Sequence, residues 1–299
     1  MIHIAEYIWI DGYNTLRSKT RVLKNEVVKV EEIPEWNYDG SSTNQASGDN
    51  SEIILKPVYL CADPFRLYTN SITYIRGSHV KFGLVLCETY NIDGTPTSTN
   101  KRHNALEVFE KYSSEEPMFG IEQEFFISVG GKPIGFTEDA KPQKDYYCGV
   151  GGDNVCRRDV IEEAFQNCLK GGLNLTGLNA EVAPSQWEFQ VCAIGINAAD
   201  QLIMLRYITN RTLEKHGYNM DISPKPMEGD WNGSGCHVNF STQIMRDAGG
   251  LEHIIKGITK LGEHHSDCML IYGDDNERRL TGLHETSDYN SFSYGVATR

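Results

Sequence analysis

The sequence has no Cys-x-x-Cys pair. Its eight cysteines are scattered at positions 61, 87, 148, 156, 168, 192, 236 and 268, which excludes a thioredoxin-like motif and a zinc-ribbon spacing. No apolar run approaches the roughly 18 residues that a membrane helix needs. The opening Met1-Ile2-His3-Ile4-Ala5-Glu6 has neither the basic segment nor the long apolar segment of a secretory signal. Positive charge is also scarce: 28 Lys and Arg against 41 Asp and Glu leave a formal net charge of −13. Neither a phosphate backbone nor an anionic membrane is drawn to such a surface. These absences predict a cytoplasmic setting with cysteines kept as buried thiols, and no nucleic-acid or membrane partner.

What is present suits a globular chain: 299 residues, 39% hydrophobic, 10% aromatic and 23% charged, enough for one large or two ordinary domains with a sizeable core. Up to residue 97, short β-rich runs at 5–10, 21–23, 27–30 and 84–87 alternate with turns, predicting a small sheet domain over 1–97. Residues 98–299 alternate helices with strands. A helix is expected after Asp93-Gly94-Thr95-Pro96, capped by Thr97, Ser98 or Thr99. A second carries Val160, Ile161, Ala164, Phe165, Cys168 and Leu169 and stops at Gly171-Gly172. A third runs through Leu202, Leu205 and Ile208 to Gly217, and a fourth carries Leu251, Ile254, Ile255, Ile258 and Leu261. Their apolar stripes read as core. Residues 68–83 read as an unpatterned surface insertion, and Lys101, Arg102, Arg157 and Arg158 as surface charges.

Three strands carry an unusual polar face. In Met118–Ile127, Phe119, Ile121, Phe125 and Ile127 share one face while Glu122 and Glu124 share the other. Gln186-Trp187-Glu188-Phe189-Gln190 sets Glu188 between two glutamines, with Glu181 preceding it across a Pro184-Ser185 turn. Cys236-His237-Val238-Asn239-Phe240 pairs His237 with Asn239. Any one of these is ordinarily the solvated face of an antiparallel strand. Together they hold acids, amides and an imidazole with no cation among them. Like charges near 4 Å repel by roughly 4 kcal/mol per pair at an effective dielectric of about 20, so convergence requires a positive centre. Oxygen ligands plus one imidazole suit Mg²⁺ or Mn²⁺. Such a centre is compatible with phosphoryl transfer, hydrolysis or simple ion binding.

Asp230-Trp231-Asn232-Gly233-Ser234-Gly235 is either a hairpin turn or a loop that lets a ligand approach the backbone. The segment 36–42 is either a turn or a loop presenting Asp39. Arg278-Arg279 precede an acid, Glu285, and arginine suits carboxylate and phosphate forks.

Taken together, Trp36-Asn-Tyr-Asp-Gly-Ser-Ser, Phe119-Gly-Ile-Glu-Gln-Glu, Asn179-Ala-Glu-Val, Gln186-Trp-Glu-Phe-Gln, Gly229-Asp-Trp-Asn-Gly-Ser-Gly-Cys-His and Arg278-Arg-Leu-Thr-Gly resemble glutamine synthetases of the eukaryotic type, in family order from about Tyr7 to Arg299. The resemblance implies an α+β fold: an N-terminal β-grasp domain, then a catalytic domain with a curved antiparallel sheet and flanking helices. It implies Glu124, Glu181 and Glu188 as ligands of one Mg²⁺ or Mn²⁺, with Glu122 and His237 on a second. It further implies Asn232, Gly233 and Arg279 at the glutamate site, Asn239 and Ser241 at the ATP site, and Glu285 as a flap acid. Arg299 falls near the transferred phosphate. Asp39 becomes the acid that binds and deprotonates ammonium, supplied by the neighbouring subunit of a ring-shaped homo-oligomer, a decamer in the family. The implied activity is ATP-dependent ligation of ammonia to glutamate through a γ-glutamyl phosphate. A binding or structural homologue and a ligase for another amine are the alternatives. The family pattern also continues past Arg299 into Arg-Ile-Pro and Glu-Asp-Arg-Arg stretches that bear further phosphate-binding arginines and a metal-site carboxylate.

Overall fold

The computed structural model describes residues 2–25, 27, 29–66, 74–75 and 78–296. The chain divides into two units, Met1–Tyr112 with Gln166–Leu173 and Ala199–Tyr207, and Ser113–Phe165 with Asn174–Ala198 and Ile208–Arg299.

The first unit is built on a mixed sheet of β1 (Ile2–Ile10), β2 (Leu16–Leu23), β3 (Trp36–Asp39), β4 (Glu52–Ala62), β5 (Tyr74–Ile75) and β6 (Ser78–Asn91). The order is β2-β1-β6-β4-β3 with β5 on β6. β1 and β6 run parallel at its centre, and the other pairs are antiparallel. Alternation along β1 sends Ala5, Tyr7 and Trp9 into one core with Leu55, Val85 and Cys87. Helix α1 (Lys101–Lys111) follows.

Several local expectations change here. Within the segment 27–30 the described residues form no strand: Val27 is a core residue and a 3₁₀ turn begins at Val30, while Val28 lies outside the described residues. The cap of α1 is Asn100, whose side-chain oxygen accepts from His103 N at 3.3 Å, in place of the three hydroxyls before it. Of the expected insertion, residues 67–73, 76 and 77 lie outside the described residues, and residues 78–83 belong to β6. Arg102 is no loose surface charge. It forks onto buried Asp200 at 2.8 and 2.9 Å and reaches buried Glu88 at 2.8 Å.

The second unit holds an antiparallel sheet: β7 (Met118–Val129), β8 (Lys132–Pro133), β9 (Leu175–Ala180), β10 (Gln186–Ile194), β11 (Asn219–Asp221) and β12 (Cys236–Ser241). Its order is β11-β7-β10-β9, with β8 and β12 also on β7. Helices α2 (Arg158–Lys170) and α3 (Asn197–Lys215) match their expected spans, and each contributes residues to both units. α4 (Gln243–Arg246), α5 (Leu251–Glu263) and α6 (His265–Met269) follow β12. Phe189 of β10 meets Phe125 and Phe165 edge-on at 5.4 and 5.5 Å. Trp187 is fully buried, donates to Cys156 O at 3.0 Å and carries the Arg158 guanidinium 5.0 Å above its ring. Arg158 is thus a brace behind β10 and not a solvated charge.

The stripe on α5 departs from expectation. Leu251, Ile254, Ile255 and Leu261 are exposed and no residue of α5 is buried, so amphipathicity there marks an apolar face outside the core. Among the eight free cysteines only Cys61, Cys87 and Cys168 are buried, and Cys148 and Cys236 are exposed. Among the described residues no helix is long and apolar enough to cross a membrane.

Candidate active site

Strand register assembles the polar faces. Glu124 lies directly across from Glu188, Glu188 from Asn179, Gln190 from Glu122, and Glu122 from His237. Directly paired residues share a face, so β7, β9, β10 and β12 present one polar surface. Glu181 follows β9 immediately. Carboxylate oxygens of Glu124, Glu181 and Glu188 lie within 4.8 Å of one another, and Glu181 and Glu188 are only 9% and 5% exposed. Burial, reinforced by neighbouring carboxylates, pushes Glu124 and Glu181 up to about 7. Burial also raises Glu188. Three clustered acids, Glu181 and Glu188 buried and Glu124 half-buried, form a cradle that a hard divalent cation fits, because the cation would relieve their repulsion and find there the oxygen coordination it prefers.

Each acid is fixed by a neutral amide. Gln186 Nε2 donates to Glu124 at 3.1 Å, Asn179 Nδ2 to Glu181 at 2.8 Å and Gln190 Nε2 to Glu188 at 2.7 Å. Glu124 also accepts from Gly235 N at 2.8 Å.

The second proposed group is more open. His237 Nδ1 stands 3.4 Å from Glu122, with the imidazole 66% exposed. Asn239 Nδ2 donates to Glu122 at 2.7 Å and to Gly120 O at 3.2 Å. The Ser241 hydroxyl takes Arg246 Nη1 at 3.0 Å.

The loop before β12 lines the other side of Glu124. A Cβ on Gly233 would fall 2.4 Å from Pro224 O and 2.5 Å from Arg279 Cγ, and one on Gly235 would fall 3.4 Å from Arg279 Nη1 and 3.7 Å from Glu124. These glycines are therefore close-approach positions that let the guanidinium reach the acid cluster. Gln186 Oε1, Asn232 Oδ1, Ser234 Oγ and Arg279 Nε are buried with no hydrogen-bond partner among the described residues. Such atoms are costly unless a polar ligand satisfies them. Glu285 is held by Asn232 Nδ2 at 2.9 Å and Gln143 Nε2 at 3.3 Å. Its neighbour His284 faces Asp230 at 3.2 Å, and both residues have left-handed backbone, φ 55 and 58. Beside them lies a cavity of about 290 Å³ lined by Pro142, Gln143, Asp230, Leu283 and His284.

Comparison with known proteins shows the family to which the chain belongs. The sequence pattern described as glutamine synthetase, catalytic domain, matches residues 98–252. The glutamine synthetases of Candida glabrata and Saccharomyces cerevisiae are each 48% identical over 99% of this chain, covering 77% and 78% of their own lengths. This chain belongs to the glutamine synthetase family. A putative glutamine synthetase of Acanthamoeba polyphaga mimivirus is 47% identical over the whole chain and 83% of its own length. The fold is that of a Plasmodium falciparum glutamine synthetase solved by cryo-electron microscopy, with a TM-score of 0.68 at 15% identity. That match covers 94% of this chain and 61% of the other.

Within this glutamine synthetase fold, twelve of the thirteen sequence-predicted residues are described. Asp39 lies in the first unit, at the end of β3, as an exposed cap that accepts from Ser41 N at 3.0 Å and Ser41 Oγ at 2.6 Å. Those bonds hold its carboxyl below the usual value. The eleven others belong to the second unit. Arg299 lies outside the described residues. The roles of Asn179, Gln186, Gln190, Gln143 and the His284–Asp230 pair were not read from the sequence. For the two glutamines the signal was present, since the alternation that aims Glu188 aims Gln186 and Gln190 with it.

Proposed function

We infer that this chain carries out the family's reaction, ATP-dependent synthesis of glutamine from glutamate and ammonia. The observation that carries the reading is the cluster of Glu124, Glu181 and Glu188 beside Arg279, whose buried Nε has no partner. The γ-carboxylate of glutamate is a poor acyl donor, so ATP first converts it to an acyl phosphate, from which ammonia displaces phosphate. Mg²⁺ or Mn²⁺, held by Glu124, Glu181 and Glu188 and at a second site by Glu122 and His237, would offset the phosphate charge.

In this reading the chain's own groups orient, shield and move protons. Arg279, with Asn232 and Gly233, receives the glutamate carboxylate that its unpartnered donor invites. Asn239 and Ser241 of β12 face the nucleotide, and Arg299 serves the transferred phosphate. Glu285, tied to Asn232 and Gln143, closes the site against water that would hydrolyse the acyl phosphate. Asp39, kept ionised by Ser41, takes the proton that ammonium must lose before it can attack. Asp39 acts from a neighbouring subunit of a ring-forming homo-oligomer, a decamer as in the family, in the cytoplasm. Residues 1–97 form the grasp domain and 98–299 the catalytic domain.

The test is glutamine formation by the purified chain with glutamate, ammonium, ATP and Mg²⁺ or Mn²⁺, compared with each omission. Phosphate release that proceeds equally fast without glutamate or ammonium overturns the reading, and preference for another amine replaces ammonium as the acceptor.

A further inference from the structure

The four glutamates on the polar face share one feature. Each takes its side-chain hydrogen bond from a carboxamide: Glu122 from Asn239, Glu124 from Gln186, Glu181 from Asn179 and Glu188 from Gln190. A lysine or arginine at any of these places would hold the carboxylate equally well and cancel its charge. An amide fixes one oxygen through an N–H and leaves the negative field of the cluster intact. Gln190 is seated against the neighbouring strand. A Cβ placed on Gly177 of the neighbouring β9 would fall 2.1 Å from Gln190 Oε1 and 2.8 Å from its Cδ, so the amide rests where any other residue at 177 would put its side chain. Gly177 is not in a left-handed conformation, and backbone strain does not account for a glycine there. What it provides is room for the Gln190 amide.

We propose that Gln190, seated over Gly177, is a positioning residue for metal binding, the key member of a neutral amide collar that aims the glutamates without neutralising them. This rests on the reading of Glu124, Glu181 and Glu188 as ligands of a divalent cation. Gln190 acts through Glu188, to which its Nε2 donates at 2.7 Å. Two changes reach it from opposite sides. Gln190→Leu deletes the donor and keeps the bulk. Gly177→Ala removes no polar group and pushes the amide off Glu188, at a position whose backbone is not left-handed.

The experiment is titration of the metal-free full chain with Mn²⁺, read by calorimetry and by the electron paramagnetic resonance signal of free Mn²⁺, alongside thermal unfolding without metal. Both variants should bind Mn²⁺ about 10–100-fold more weakly than the parent chain. Their metal-free unfolding should match the parent, and the double variant should be no weaker than Gln190→Leu alone. Unchanged Mn²⁺ affinity in both folded variants overturns the collar and leaves the metal reading standing. Weakened binding by Gln190→Leu with unchanged binding by Gly177→Ala overturns the seating over Gly177. An unmodified chain that binds no Mn²⁺ overturns the metal reading and the collar with it.

Discussion

Glu124 and Glu181 sit at about 7, against 4.5 for an exposed glutamate. The folded state without metal therefore binds protons that the unfolded chain releases. Stability from these groups is fully present below about pH 4.5 and is lost as pH rises through about 7. Without metal, the chain should lose about 2–4 kcal/mol of stability between pH 5.5 and 8, and a saturating divalent cation should restore it. Urea unfolding in a chelator at both pH values measures this, and a flat or rising profile would contradict the buried-acid account. Glu188→Gln belongs to the same argument. It removes one charge from a cluster whose oxygens lie within 4.8 Å, each pair repelling by on the order of 3 kcal/mol at an effective dielectric of about 20. Metal-free stability should rise while metal-dependent turnover falls about 10²–10³-fold. Unaltered metal dependence in that variant would remove Glu188 from the set of metal ligands.

At the scale of the element, the loop entering β12 has little freedom, because Gly233 is packed between Pro224 O and the Arg279 stem. Gly233→Ala must move one of them, and displacement of the guanidinium by about 1 Å should cost about 10²-fold in kcat/KM for glutamate with Mn²⁺ binding preserved. Full activity in Gly233→Ala would show that Arg279 has slack to give. The strands carrying the acids were legible because their period of two is explicit in Phe119-Gly-Ile-Glu-Gln-Glu and Gln186-Trp-Glu-Phe-Gln, and pairing then merged the faces. The short β3 was not legible, since turn-forming residues follow Trp36–Asp39 directly and its pairing with residues 52–55 is a long-range fact. Arg102 and Arg158 were misread for the same reason. Helix starts favour exposed charge, and only tertiary partners, Asp200 for one and the Trp187 ring for the other, reveal them as half-buried braces. The stripe on α5 was legible as apolar, but periodicity cannot say what an apolar face meets.

For the whole molecule, the proposed site draws on two parts of the chain: Asp39 is an exposed cap in the first unit and the acid cluster belongs to the second. If the functional pair joins Asp39 of one subunit to the cluster of its neighbour, the two can be disabled separately. Asp39→Asn should spare glutamate-dependent phosphate release without ammonia more than glutamine formation, because the base is lost and the cluster is untouched. Glu188→Ala should lose both. In mixed rings each inactive variant then supplies what the other lacks. At equal amounts with random assembly about one site in four joins an intact Asp39 to an intact cluster. Glutamine formation should therefore recover to about a quarter of the parent rate, and dilution with a subunit bearing both substitutions should abolish the recovery. Two differently tagged variants purified together establish that the rings are mixed. Absence of recovery in those rings would place Asp39 and Glu188 in the site of one subunit and remove the reason for the family's ring in this chain's chemistry.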